Sequence, residues 1–225
     1  MEIKPIASSS KGNAYLIADG TTTILIECGL PIKDLKRKTN FLNGIDACLV
    51  SHLHNDHAKA LKDLLNAGVR CYALKEVFEA KKIIHHRAKA IKDKEDFRVG
   101  TFKIIPLKMF HDVPCAGFLI YSIATNEKLL FATDTYMIKY AINGLDYIMI
   151  EANYDVDLVE DDAQRERLIK SHMSVETTVQ YLKSIDLSNI KKIYLMHLSS
   201  RHSNEEDFKK RVQAATGKEV VVCDE

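Results

Sequence analysis

The chain has 225 residues, 46% of them hydrophobic, which fits one domain over residues 1–225 with apolar surface enough for a substantial core. A formal charge of +1 disfavours wrapping of a long nucleic acid but leaves room for a short contact track. Five scattered cysteines, Cys28, Cys48, Cys71, Cys115 and Cys223, lie mostly in apolar runs and read as core residues of a reducing compartment, not as a disulfide framework. The N-terminus carries no charged segment followed by a long apolar one, and no run reaches membrane-spanning length. A cytoplasmic location without a membrane partner is expected.

In chain order, residues 2–27 read as strands: an opening strand, then 14–18 and 22–27 joined by the hairpin pair Asp19-Gly20. The polar loop 8–13 either simply connects strands or lines the mouth of a site. Residues 33–40 suit a short basic helix, 45–50 a buried strand, and the helical period after it a helix from near His57 to Gly68. A strand over 69–74 and an amphipathic helix over 75–90 follow, the latter with Val77, Phe78, Ala80, Ile83 and Ile84 on one side. The basic run over 81–94 is either a solvated face or a phosphate-contacting surface. His85 and His86, about 100° apart on such a helix, would suit a shared metal poorly.

The second half repeats short apolar runs that each deliver a polar residue. Residues 97–110 and 116–124 are strand regions flanking His111-Asp112-Val113-Pro114, 129–133 ends at Asp134, 145–150 at Glu151, and 190–196 at His197. An acidic helix or loop is expected over 157–170, a helix capped by Ser174 over 175–185, a helix over 203–215, a turn at Gly217 and a last strand over 219–223.

The densest chemistry is Ser51-His52-Leu53-His54-Asn55-Asp56-His57, which places three of the nine histidines and an aspartate within six residues on a strand-to-helix turn. If the extended conformation persists through His54, His52 and His54 point to one side and can share an ion. Asp56 and His57 follow where the chain bends, so they can turn toward a second position. Nitrogen and carboxylate donors without a matching cysteine favour zinc, and manganese or iron would accept the same set.

This H-x-H-x-D-H pattern after an apolar strand resembles the signature of the metallo-β-lactamase-fold hydrolases. Ser8-Ser9-Ser10-Lys11-Gly12-Asn13 is similar to the S-x-S-x-G-N opening of a bacterial and phage subgroup in the phosphodiesterase branch. Asp134, Glu151-Ala152-Asn153-Tyr154-Asp155, Ser171-His172-Met173-Ser174 and Met196-His197-Leu198-Ser199-Ser200-Arg201-His202 follow in that subgroup's order. The resemblance implies an α/β fold, the αββα four-layer sandwich, with a metal site at the strand ends. It implies two Zn2+ ions, one held by His52, His54 and His111, the other by Asp56, His57 and His197, with Asp134 and a hydroxide between them. Such a centre carries a charge of about +1 and welcomes an anion.

Further roles come from the same resemblance. Glu27, two residues before Gly29, either orients the histidines or is a surface carboxylate. His172 looks like the general acid of the tRNA 3′-processing endonucleases, aligned by Glu151, or is a helix-end histidine; Asp56 also orients the attacking water. Arg201 either meets phosphate or is a surface cation. The implied reaction is hydrolysis of a small or terminal phosphodiester, with cyclic nucleotides, cyclic phosphates and nucleic-acid ends all admissible, and 5′-exonuclease and cyclic-phosphodiesterase readings level. A glyoxalase-II-like thioester hydrolase would share the ligands without needing His172 and Arg201. A metal-stabilised nucleic-acid-binding module using residues 81–94 is the non-enzymatic alternative, and a homodimer is compatible with each.

Overall fold

Two sheets stack face to face because their central strands are apolar on both sides. The computed structural model describes residues 1–223, so the end of the domain expected over 1–225 lies outside the described residues. The first sheet runs in sequence order through β1 (Glu2–Ser9), β2 (Gly12–Ala18), β3 (Thr23–Ile26), β4 (Ala47–Val50), β5 (Arg70–Leu74) and β6 (Ala88–Ile91). The second contains β7 (Phe97–Val99), β8 (Phe102–Met109), β9 (Cys115–Ser122), β10 (Glu127–Ala132), β11 (Tyr147–Glu151), β12 (Lys192–Met196) and β13 (Glu219–Val222), ordered 13-12-11-10-9-8-7.

Period-two alternation assigns each strand residue to a layer. Ile24, Ile26 and Leu49 of the first sheet meet Phe131, Met149 and Met196 of the second in the central core. The alternate residues Leu25, Cys48 and Val50 face outward beneath α1 (Ile32–Lys38), α2 (Asn55–Ala58), α3 (Leu61–Asn66) and α4 (Lys75–Ala80). On the other side Ile148, Ile150, Ile193 and Leu195 pack against α6 (Val175–Lys183) and α7 (Glu205–Thr216), with α5 (Asp162–Ser171) preceding them. These layers make the expected αββα sandwich. Ser174 caps α6 by accepting from Thr177 N, and Gly217, at φ +66°, ends α7 where a left-handed residue is needed. All five cysteines are buried and no disulfide joins them among the described residues, and no helix there is long and apolar enough to cross a membrane.

Several local expectations are corrected. The loop expected over 8–13 is mostly strand: Ser8 pairs with Asn13 and Ser9 with Gly12, leaving only Ser10 and Lys11 as the turn. The strand leading to the histidine motif stops at Val50, so His52 and His54 are not held by strand pleating. The helix expected from His57 to Gly68 is two helices, because Cys28 enters the ladder. Its N–H donates to the His57 carbonyl at 2.7 Å, and its own carbonyl accepts from Ala60 N at 2.9 Å. The helix expected over 75–90 ends at Ala80, where Lys82 turns left-handed (φ 53°) and Ile83 N donates back to the Phe78 carbonyl. Ile84, counted on its apolar face, is fully exposed, and 88–91 pairs with β5 instead. His85 and His86 stack on each other in the intervening turn. Gly100, at φ +52°, splits the region 97–110 into β7 and β8.

Candidate metal centre

Topology gathers the candidate residues at one edge. Strands β3 to β6 are parallel, as are β10 to β13, and β8 shares the direction of β10 because each is antiparallel to β9. The carboxyl ends of β3, β4, β8, β10, β11 and β12 therefore release Glu27, His52, His111, Asp134, Glu151 and His197 into one crevice, where open α/β sheets place their sites. Glu27, Asp134 and His197 leave their strands at positive φ, 65°, 50° and 55°, a conformation rare outside glycine.

One group of donors is His52, His54 and His111, whose donor atoms lie within 4.8 Å of one another. His52 Nε2 is 3.0 Å and His111 Nε2 3.3 Å from His54 Nδ1, so three imidazole lone pairs can face one point. The far nitrogens are occupied: His52 Nδ1 meets Ser51 Oγ at 2.8 Å and His111 Nδ1 meets the Ser171 carbonyl at 2.9 Å. Partners of this kind fix the tautomer of a metal-binding histidine. Burial pulls the His52 imidazole well below its ordinary value, and the neighbouring His57 charge adds to that, which keeps the ring neutral. Cys115 Sγ touches only the remote side of His52, 3.8 Å from Nδ1.

A second group is Asp56, His57 and His197. Asp56 Oδ2 stands 3.3 Å from His57 Nε2 and 3.4 Å from His197 Nε2. Asp134 reaches both groups: Oδ2 is 3.1 Å from His57 Nε2, and Oδ1 is 3.8 Å from His111 Nε2. The remote nitrogens again face acids. His197 Nδ1 is 3.0 Å from Glu151 Oε1, and His57 Nδ1, which makes no hydrogen bond among the described residues, has Glu27 at 3.5 Å. Glu27 is fully buried and accepts from Ser51 N at 3.2 Å, so it is not a surface carboxylate.

Negative charge is in excess at this edge. Burial works against protonation of His197, yet Asp134, Asp56 and Glu151 push it up to about 10. His57 is likewise held well above its ordinary value, by Asp134 and Glu27 against burial. Asp134 stays well below the usual carboxylate range because the His197 and His57 charges outweigh its burial. A pocket of buried imidazoles dragged toward protonation by surrounding carboxylates fits divalent cations, and the nitrogen–oxygen donor set suits zinc, manganese or iron.

Beside the two groups, His172 Nδ1 meets Glu151 Oε1 at 2.6 Å. Glu151 also accepts from Thr135 N at 3.1 Å and from Met173 N at 3.4 Å. Burial would raise the Glu151 carboxyl, but the His172 charge and the imidazole hydrogen bonds hold it below its ordinary value. The same carboxylate raises His172 against the effect of burial. His172 is more enclosed than its position at a helix start implied, with 13% of its side chain exposed. Arg201 stands apart from this constellation, exposed in the turn after His197 and without an ion pair among the described residues.

Three supporting residues escaped sequence reasoning. Asn13 Nδ2 donates to the Asp56 carbonyl at 3.2 Å and touches His57 Nε2 at the same distance. Ser8 Oγ accepts from His197 N at 2.9 Å, and Asn153 Nδ2 donates to the His197 carbonyl at 2.7 Å. Ser8 and Asn13 belong to a motif that was visible without a chemical role. Asp112, also passed over, sets Oδ1 3.0 Å from His111 Nε2 and 3.7 Å from His54 Nε2.

Comparison with known proteins bears on the family and the fold. The family model described as a beta-lactamase superfamily domain matches residues 22–198. Exodeoxyribonuclease YycJ of Bacillus anthracis is 25% identical over 226 residues, an alignment spanning 89% of this chain and 83% of that protein. The metallo-β-lactamase fold protein YhfI from Bacillus subtilis superposes with a TM-score of 0.78 at 19% identity, covering 99% of this chain and 95% of that one. A diphosphatase from the PhnP family superposes at 0.70 and 17% identity, covering 97% and 94%. With the family match covering most of its length and the fold agreeing, the chain belongs to the beta-lactamase superfamily domain family, as one of its metallo-β-lactamase-fold, metal-dependent hydrolases.

Proposed function

We propose that the protein is a binuclear, zinc-dependent phosphodiesterase acting on a small or terminal phosphodiester. The observation that carries this reading is the pairing of the two donor groups through Asp134, with the His172–Glu151 pair alongside. His52, His54 and His111 would hold one ion, Asp56, His57 and His197 the other, and Asp134 both. Divalent cations held there would lower the pKa of a bound water and stabilise the charge that develops on the phosphoryl oxygens.

The chain's own residues supply the rest. With its Nδ1 paired to Glu151, His172 carries its transferable proton on Nε2 and gives it to the leaving oxygen as the phosphorus–oxygen bond breaks. Glu151 holds that ring in position and, through His197 Nδ1, fixes a donor of the second group as well. Glu27 orients His57 from behind. Arg201 lies outside, where its guanidinium is free to meet a substrate phosphate. Thioester hydrolysis gives a paired His172–Glu151 no task, and a binding module without turnover gives it none either. The name of the YycJ relative favours a nucleic-acid end over a cyclic nucleotide.

The test is a zinc- or manganese-supplemented panel of bis(p-nitrophenyl) phosphate, a 3′,5′-cyclic nucleotide, 5′-labelled single-stranded DNA and a thioester. Phosphodiester turnover that disappears with chelator is expected. Thioester turnover alone, or DNA binding without turnover, would overturn the proposal.

A further inference from the structure

A groove of about 880 Å³ opens beside the metal centre and shares His111 and Asp112 with it. Its volume falls within the roughly 300–1,000 Å³ of small-molecule sites. The ends of β5 and β6 form one side and β8 the floor, so it extends the crevice at the strand ends.

Where the groove meets the centre stand two aromatic rings, Phe110 immediately before His111 and Tyr136 two residues after Asp134. Their centroids are 5.7 Å apart at 53°, and Tyr136 is 38% exposed. Backbone bonds fasten this shelf to the site. Tyr136 N donates to the Phe110 carbonyl at 3.0 Å, Phe110 N to Thr135 Oγ1 at 2.9 Å, and Thr135 N to Glu151 at 3.1 Å. Two ammonium groups converge on the same ring: Lys139 Nζ lies 4.2 Å and Lys108 Nζ 5.8 Å from the Phe110 centroid. Lys75 and Lys92, elsewhere on the groove, are paired with Glu79 and Glu95. Lys108 and Lys139 have no carboxylate partner among the described residues.

Asp93 accepts from Lys108 N at 2.8 Å but pairs with neither ammonium, and an exposed aromatic face beside two cations free of ion pairs among the described residues matches a base and a phosphate of one nucleotide. We propose that this shelf binds the nucleotide adjoining the scissile phosphodiester of a single-stranded nucleic-acid end. Its base stacks on Tyr136 and its further phosphate lies on Lys108 and Lys139. The proposal rests on the phosphodiesterase reading and selects among its substrates, since a cyclic mononucleotide has no second phosphate to offer.

The experiment measures kcat and KM on 5′-labelled single-stranded DNA, a 3′,5′-cyclic nucleotide and bis(p-nitrophenyl) phosphate, for wild type, Tyr136→Ala, Tyr136→Phe and the Lys108→Ala/Lys139→Ala pair. For the DNA, Tyr136→Ala should raise KM about tenfold or more while Tyr136→Phe restores it. The lysine pair should raise KM and flatten the salt dependence by about one to two counterions. The ratio of DNA to bis(p-nitrophenyl) phosphate efficiency should fall accordingly. Equal proportional losses on all three substrates, or wild-type turnover of the two small phosphodiesters without turnover of DNA, would overturn the shelf and leave the phosphodiesterase reading standing. No turnover of any substrate would overturn both.

Discussion

Gly29 is the most confined of the glycines, and its replacement by alanine tests how the site is held. A Cβ at Gly29 would sit 1.6 Å from the Asp56 carbonyl oxygen, 2.2 Å from the Asp56 carbonyl carbon and 2.7 Å from Asn13 N. These are backbone atoms, so no side chain can swing aside. Relieving the contact from 1.6 Å to the 3.0 Å below which real Cβ atoms are not found requires a shift of about 1.4 Å. The segment that must move carries Asp56 and His57, and Gly29 N also donates to the Asn13 carbonyl at 2.9 Å. Overpacking of this kind costs about 1–3 kcal/mol, or roughly 3–10 °C in Tm for a chain of this size. An ångström of misplacement at a reacting centre costs about a hundredfold in rate. Gly29→Ala should therefore lose about two orders of magnitude in kcat/KM on bis(p-nitrophenyl) phosphate and bind metal less tightly. A variant within threefold of wild-type activity, with unchanged melting, would refute this account of how Asp56 is positioned.

Four further outcomes are expected. His54→Ala and Asp134→Ala should lose bound metal and activity together by elemental analysis and turnover. His172→Ala should keep its metal but lose about 10²–10⁴ in kcat, and with it the fall in rate as pH rises through the elevated value of His172. Chelation should lower Tm by roughly 5–10 °C, since the donors come from both sheets and binding at a hundredfold excess over Kd adds about 2.7 kcal/mol; superimposable melts would contradict it. Asp19 accepts from Thr21 N, Thr22 N, Thr101 Oγ1 and Ser122 Oγ, and these bonds hold its carboxyl below the ordinary value despite burial. Because the folded value lies below the unfolded one, that stabilisation is present above about pH 4 and fades as pH falls through the folded value. Asp19→Asn should cost roughly 2 kcal/mol at pH 7 and progressively less toward pH 3 in urea titrations.

The layers were legible because strand burial writes itself into composition: the runs at 45–50, 129–133, 145–150 and 190–196 are apolar on both faces and each became a central strand. The polar residue ending each run was equally visible, and those residues are the ones that meet in the crevice. What the sequence did not disclose were tertiary interruptions. The break between α2 and α3 is made by the backbone of Cys28, which no periodicity around residue 60 can reveal. The helix expected over 75–90 was extended by Ile83 and Ile84, yet Ile83 serves a helix-end contact and Ile84 faces solvent. Asp19 read as a turn residue, whereas its carboxylate also ties the first sheet to Thr101 and Ser122 of the second. Asn13, Asn153 and Ser8 could be seen as residues but not as partners, since each bonds to something at least 40 positions away.

The left-handed residues explain why such partners are needed. Glu27, Asp134 and His197 each hold a conformation that costs of order 1–3 kcal/mol, and glycine, which would relax it, carries no donor. All three stand at the strand ends where the donors gather, so the strain is concentrated at the site itself. Something must oppose relaxation, and the bonds that do so join segments remote in sequence. Glu27 N donates to the Leu49 carbonyl, His197 N to Ser8 Oγ across the two sheets, and Asn153 grips the His197 carbonyl. Buried hydrogen bonds of about 1 kcal/mol each are enough to offset strain of that size. A crevice built this way holds its donors close before any cation arrives, and the cost of gathering several carboxylates there is met by the fold, through imidazoles that take up charge beside them.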